Sequence, residues 1–471
     1  MERFLTEEAR QTRIIAEADT VVVGGGTAGC IAAIAAARSG ASVVLIEKTP
    51  VPGGTMTNGG ICFNSLYAST PDTRKARQIV FGLPDELERR MEEEGGSSGP
   101  VPTRIGNSYS RPYMITLDHE VFKYVICDML MEAGVKVYLQ TMFAGIRQDA
   151  DGRITAVLVQ NKSGRGAILT GTVIDCTGDG DVAKAAGCPQ KELWNIYEER
   201  VARPTGMVFA LTGVDWQKVY RENKDCLRLG DNSNDIFVGE GERHPSGYLR
   251  MNIDFTKDPK YQPITDLDIH WEIMFMSMKP GEATYVNGLA GPTADQSDAE
   301  TLSNSELEVR VKIHKLAKAL RECVPGFENS HVTWEATQLG VRASWVTLCE
   351  KDMTLEDMLE GKRFEDEIGL YGYQDILPRY PDIPVGGDGY YGFPYRMILP
   401  KDSVNLFIAG RCVTPEPEAH MSTRNVVSCM IQGEAAGTAA ALCAKAGCLP
   451  RQLPYEDLRA ELIRKGVKLE L

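Results

Sequence analysis

Residues Asp19–Lys48 read DTVVVGGGTAGCIAAIAAARSGASVVLIEK, and the order of parts in this stretch decides the fold. Val21–Val23 form a short buried-strand run. Gly24, Gly26 and Gly29 follow at G-x-G-x-x-G spacing, an Ala-rich helical run comes next, and a second apolar run, Ser42–Ile46, ends at Glu47. Each part has a task in a βαβ unit that holds a dinucleotide. Gly24 permits the tight turn from strand to helix. Gly26 lets the backbone approach a pyrophosphate, with Thr27 and Ala28 opening the helix beside it. Gly29 lets the helix lie close on the strand. The helix start offers N–H groups and a positive dipole end to the phosphate. Glu47 lies 18 residues after Gly29, close to the roughly 20 expected of the carboxylate that binds a ribose hydroxyl. The competing reading is a bare βαβ unit packed tightly by its glycines.

A Gly-rich loop, Pro52-Gly53-Gly54-Thr55-Met56-Thr57-Asn58-Gly59-Gly60, follows the acid and Lys48 almost at once. A nicotinamide domain would continue with further βα units. Such a loop instead lets backbone pass close to a flat, bulky group. Two distant segments add to this. Thr172–Ala183 reads as a strand ending in Thr177-Gly178-Asp179-Gly180-Asp181 and then a helix start. Asn405–Arg411 reads as a buried strand ending in Gly410-Arg411. It leads to His420-Met421-Ser422-Thr423-Arg424 and a small-residue helix opened by Val426 and Val427.

In these segments, about half of the chain, the sequence resembles the FAD-dependent oxidoreductase family. Relatives of that family include the fumarate reductase flavoproteins. The resemblance implies an α/β fold: a Rossmann-like FAD-binding domain of glutathione-reductase type with a second, mixed α+β substrate domain. The expected boundaries are 1–190 and 395–471 for the first, with residues 69–117 making an excursion toward the substrate side, and 191–394 for the second. The resemblance further implies non-covalent FAD held by Gly24, Gly26, Thr27, Ala28, Gly29, Glu47, Lys48, Gly54, Thr55, Met142, Thr177, Gly178, Asp179, Gly410, Arg411, Val426 and Val427. In the family the loop at Gly54 runs beside the ribityl chain and flavin ring. The stretch around Met142 passes the adenine, and the start of the last long helix faces the flavin N1 edge.

The implied reaction is hydride transfer between flavin N5 and a small organic substrate. Three residues are the catalytic candidates. His420 and Arg424 are four apart and share a face if helical. His420 either handles the proton that accompanies the hydride or makes a structural hydrogen bond. Arg424 either clamps a substrate carboxylate or helps hold the cofactor. Arg342, in Gln338-Leu339-Gly340-Val341-Arg342, resembles a family Gly-Val-Arg element, but Ala343-Ser344-Trp345 replaces the polar run that follows it in relatives. Arg342 is then a substrate clamp or an ion-pair partner. Tyr390, Tyr391 and Tyr395 are expected either to lid the pocket or to pack in the core.

Disulfide reductases of the superfamily carry two redox cysteines after the GGT element. Met56 and Ile61 stand there in this chain, Cys62 is one residue off, and no second GxGxxG follows. The twelve cysteines are scattered without a C-x-x-C pair, so neither a disulfide framework nor a metal or iron–sulfur site is expected. Net charge is −14, which argues against nucleic acid and anionic membrane surfaces as partners. No apolar run was expected to reach the roughly 20 residues of a spanning helix. The N-terminus reads as an amphipathic helix rather than a signal peptide. The expectation is a cytoplasmic enzyme acting on a small molecule, compatible with a homo-oligomer, its electron acceptor not named by the sequence. Two alternatives keep the flavin: a subunit of a larger electron-transfer complex, and a structural or sensory FAD-binding protein.

Overall fold

The computed structural model describes residues 9–67, 77–102, 113–195, 205–229, 249–267, 269–277, 281–372 and 385–471. Strand Arg13–Val23 pairs in parallel with Val43–Ile46 on one side and Gly164–Asp175 on the other. Lys136–Tyr138 extends the parallel set beyond Val43–Ile46, and Leu406–Ile408 flanks the end of Gly164–Asp175. Val21–Val23 and Val43–Ile46 are buried throughout, as continuous apolar runs are when helices cover both faces of a parallel sheet. The turn at Asp151-Gly152 joins Met142–Gln148 to Ile154–Asn161, and Ile154–Asn161 pairs antiparallel with Met142–Gln148 on one side and with Gly164–Asp175 on the other. One long strand thus pairs in parallel with Arg13–Val23 on one edge, while the other edge takes the antiparallel Ile154–Asn161 at its start and the parallel Leu406–Ile408 at its end.

The N-terminal expectation is corrected on the residues described. Arg13–Ala18 are strand, paired with Gly166–Thr170, not helix. The long strand Gly164–Asp175 presents a run of backbone groups that residues 13–18 satisfy. A short isolated helix could not compete, because its nucleation costs more than its few bonds return. Residues 1–8 lie outside the described residues.

The first helix, Thr27–Arg38, packs against the last long helix, Val426–Ala446. A Cβ at Gly433 or Gly437 would collide with the carbonyl oxygens of Ala28 and Ala32. These glycines set the helix spacing. A second correction follows. Val426–Ala446 is long and apolar enough to cross a membrane by length and composition, but 89% of its most apolar window is buried inside the protein. Its apolarity serves packing on both sides.

A second core forms between residues 207 and 341. Six antiparallel strands, in spatial order Leu227–Leu229, Leu249–Asp254, Ile269–Ser277, Glu282–Leu289, Phe209–Thr212 and His331–Glu335, make one sheet. Helix Ala299–Cys323 buries Val309, Ile313, Leu316 and Leu320 in a core shared with Phe209, Phe255, Phe275 and Phe327. The chain rejoins the first core earlier than residue 395: Cys349, Met353, Ile368, Leu370, Tyr391 and Phe393 all belong to it. The reason is the antiparallel pair Glu367–Tyr371 and Tyr391–Pro394, which lies on the last long helix so closely that a Cβ at Gly369 would strike Ile431. Tyr390, Tyr391 and Tyr395 are buried in that core. Within the 69–117 segment, helix Leu83–Glu93 buries Leu83, Leu87 and Met91 in the same core. Residues 68–76 and 103–112 lie outside the described residues.

Candidate functional site

A cavity of about 450 Å³ lies where the two cores meet. One side of it is built from the βαβ turn, the loop after Glu47, the strand ends at Cys176–Gly178 and Gly410–Arg411, and the start of the last long helix. The other side is Gly206, Val208, Met274, Tyr285, Asn287 and the segment Gln338–Arg342.

Two helix starts open on this cavity. Helix Thr27–Arg38 begins at Gly26 and helix Val426–Ala446 at Asn425, and neither has a side-chain cap. First-turn N–H groups have no partner within their helix, so these are left for solvent or a ligand. Both dipoles place partial positive charge at the cavity. Anionic groups at both ends of one elongated ligand fit this arrangement.

The three motif glycines separate by what surrounds them. Gly24 has φ +98, and its missing Cβ would collide with the Cys176 carbonyl. A Cβ at Gly29 would run into the Gly24 carbonyl oxygen. A Cβ at Gly26 would meet nothing within 4 Å, and Gly26 lines the cavity. The first and third glycines are required by the protein's own backbone; the second leaves room for a group the chain itself does not supply. Gly54, at φ +53, leans on this turn, since its Cβ would sit 2.7 Å from the Gly26 Cα. The Gly53 N–H ties the loop to the Gly25 carbonyl at 2.8 Å. The cradle fits FAD, with room for a group against the backbone at Gly26.

Glu47 is 6% exposed. Its carboxylate accepts from the Gly25 N–H at 2.6 Å, the Thr49 N–H at 2.8 Å and the Thr49 hydroxyl at 2.7 Å. These bonds fix the carboxylate on the cavity wall with acceptor capacity left for a ribose hydroxyl. Glu47→Ala is expected to weaken FAD binding by about 1.5–3 kcal/mol, the size of a hydrogen bond to a charged group. Fluorescence titration of the apoprotein with FAD measures it.

Arg411 spans the two sides. Its guanidinium meets Asp179 at 2.8 Å and the Ser344 hydroxyl at 2.6 Å, while Ser344 also donates to Asp179 at 2.5 Å. Burial alone would raise the Asp179 carboxyl; Arg411 and the Ser344 hydrogen bond hold it below its ordinary value. Gly178, at φ +84, is bare because a Cβ would lie 3.0 Å from the Arg411 guanidinium. Asp179→Asn is expected to lower stability by about 1.5–3 kcal/mol, read as a lower melting temperature.

Of the cofactor residues named from sequence, all but Gly29 and Asp179 line the cavity; Gly29 packs helix on strand, and Asp179 anchors Arg411. Arg342 and Arg424 line it as well. His420 does not. It is fully buried, with Nε2 2.7 Å from the Arg411 carbonyl oxygen. A carbonyl can only accept, so Nε2 carries the hydrogen. Burial, then the Arg424 charge, push its pKa down to about 3. Helix Pro417–Thr423 keeps the four-residue spacing, its C-cap Arg424 N–H bonding the His420 carbonyl at 3.1 Å, yet of the two only Arg424 lines the cavity. His420 points behind the loop and Arg424 toward the cavity.

Other lining residues had no signal in the sequence reading: Phe63, Asn64, Ser65, Met274, Tyr285 and Asn287. Tyr285 and Asn287 alternate along strand Glu282–Leu289, so they share a face. Met274 pairs opposite Asn287, and the Asn287 amide donates to the Tyr285 oxygen at 2.8 Å. Cys62 is buried among Val208, Met276 and Tyr285, a packed thiol behind the wall.

A family model described as FAD dependent oxidoreductase matches residues 19–462. The chain is 38% identical over 93 residues to a fumarate reductase (cytochrome) of Shewanella frigidimarina, covering 20% of this chain and 16% of that protein. It is 30% identical over 248 residues to digeranylgeranylglycerophospholipid reductase 2 of Methanothermobacter thermautotrophicus, covering 49% and 60%. The matches thus span less than two thirds of either relative. A solved geranylgeranyl bacteriochlorophyll reductase-like protein of Thermoplasma acidophilum overlays with a TM-score of 0.46 at 13% identity, covering 96% of this chain and 86% of that one. With the family pattern running from the first strand to the final helix, the chain belongs to the FAD-dependent oxidoreductase family.

Proposed function

We propose that this protein holds FAD non-covalently in the cavity and moves a hydride between flavin N5 and a small organic molecule bound against Tyr285, Asn287, Arg342 and Arg424. The observation that carries the reading is one cavity shared by two uncapped helix starts on one side and a mixed polar and apolar wall on the other. FAD, when bound, supplies the two-electron chemistry. The chain supplies binding and position. The start of helix Thr27–Arg38 holds the pyrophosphate, and the start of helix Val426–Ala446 stabilises negative charge at the reduced ring. Ile61, Phe63, Val208 and Met274 keep water from the reacting face. Arg342 and Arg424 orient the substrate. The proton is handled at the cavity wall, not by His420. Tyr285 suits that task, because its oxygen accepts from Asn287 and its own O–H is a donor.

Flavin absorbance of the purified protein, before and after incubation with FAD, tests the cofactor. Protein that stays colourless overturns the reading. Stopped-flow reduction of bound flavin against hydroxy acids, alcohols and amines, and re-oxidation by enoates, tests the reaction. Arg424→Lys keeps the charge and loses the planar fork. Flavin reduction by the substrate so found should fall by about 10-fold or more, the factor that 1.4 kcal/mol represents, with FAD content unchanged.

A further inference from the structure

The far end of the last long helix carries a feature that FAD binding does not use. The helix stops at Gly447, which takes the left-handed conformation at φ 65 and ψ 26. The N–H of Cys448 then bonds the Cys443 carbonyl at 3.1 Å. That six-to-one bond defines a Schellman turn, which brings the residue three before the helix end against the second residue beyond it. Those two side chains ordinarily make an apolar contact. Here both are cysteines. Cys443 is buried and Cys448 half-buried. Burial raises the Cys443 thiol, and the adjoining Cys448 sulfur, in hydrogen-bonding contact, raises it further. Neither residue lines the cavity.

We propose that Cys443 and Cys448 form a redox modification site that closes to an intramolecular disulfide in the presence of hydrogen peroxide. Backbone segments joined by one N–H···O bond come within the Cα separation a disulfide needs, about 4.4–6.8 Å. Cys448 is the more accessible sulfur and reacts first. Its thiolate attacks one peroxide oxygen, the O–O bond breaks, and the leaving hydroxide takes a proton to become water. The product is a sulfenic acid on Cys448. The Cys443 sulfur then attacks the Cys448 sulfur, the S–O bond breaks, and the departing hydroxide takes the Cys443 proton as a second water. Two thiols lose two electrons in total, and one peroxide gains them. The site lies at the negative end of a helix dipole, which does not favour a thiolate. Closure therefore needs peroxide in large excess over protein. The bond would pin the helix end beside Tyr395, whose hydroxyl donates to the Pro450 carbonyl at 2.9 Å.

The test uses full-length, FAD-loaded protein treated with hydrogen peroxide, alkylated, and digested with trypsin without reduction. Cleavage after Lys445 falls between the two cysteines, so a disulfide joins peptide Asn425–Lys445 to peptide Ala446–Arg451. The joined pair should appear only after peroxide, should vanish on reduction with dithiothreitol, and should be absent in both Cys443→Ala and Cys448→Ala. Cys448 in the Cys443→Ala protein should instead advance to sulfinic acid, having no resolving partner. If burial makes Cys443→Ala fail to fold, Cys448→Ala carries the test alone. The proposal is overturned if wild-type Cys448 is recovered alkylated, as sulfinic acid with Cys443 alkylated, or joined to a different cysteine.

Discussion

Gly26→Val is expected to give a folded protein that holds almost no FAD. A Cβ at Gly26 meets no protein atom within 4 Å, so the side chain can start without a clash in the apoprotein. Gly26 lines the cavity, so the added side chain takes up room that the proposed pyrophosphate would occupy. The variant should melt close to wild-type apoprotein, with flavin absorbance per mole of protein near zero. Gly29→Ala is expected to do the opposite kind of damage. Its one added carbon runs into the Gly24 carbonyl oxygen, between a buried strand and the helix that covers it. Overpacking of this sort costs typically about 1–3 kcal/mol and more where backbone must move. Gly29→Ala should therefore lose stability even without cofactor. Wild-type FAD content in Gly26→Val would reduce the opening motif to a packing device.

His420→Ala is expected to lose stability and FAD content together, with no titration of a histidine removed from any rate profile. The substitution leaves the Arg411 carbonyl without its N–H donor, at about 1–3 kcal/mol, and opens a cavity in the wall behind the Gly410–Arg411 turn. His420→Gln, which retains an N–H donor, should restore part of the loss. The pH dependence has a definite sign. The folded pKa of about 3 lies below the unfolded value of about 6.5. Between these two the unfolded chain binds the additional proton, so stability rises with pH through this window and is flat above it. Thermal melts of wild type from about pH 4 to pH 8 should show the rise, and His420→Gln should show less of it. A rate that depends on a group near pH 6.5 and loses that dependence in His420→Gln would return His420 to a catalytic role.

These two predictions mark where sequence and structure part. Val21–Val23, the spaced glycines, Glu47 and the Gly53–Gly60 loop were legible because their order and spacing lie within one short stretch, although the Cys176 carbonyl that forces Gly24 comes from far along the chain. A tight turn needs its glycine whatever the rest of the chain does. The same local logic made Thr177–Gly178 and Gly410–Arg411 readable as ends of buried strands. Helical spacing for His420 and Arg424 was also local, and it does not say which of the two reaches the cavity. The helix stops at Thr423, and the Arg411 carbonyl, brought in from the neighbouring turn, takes the imidazole. The early return to the first core and the strand rather than helix at Arg13–Ala18 depend on partners far along the chain, Ile431 against Gly369 in the one case and Gly166–Thr170 in the other.

By itself, then, the sequence determined the dinucleotide unit, the family and the cofactor cradle, since these rest on backbone conformations that only particular residues near one another permit. The tertiary structure decided the opposite wall. Tyr285 and Asn287 on one strand, Met274 across from them and Arg342 beyond come together only through antiparallel register and the packing of two cores. No short-range pattern encodes those distances. The burial of His420 against the Arg411 carbonyl was decided at the same level, because burial and the bonding partner of a side chain are properties of the packed molecule.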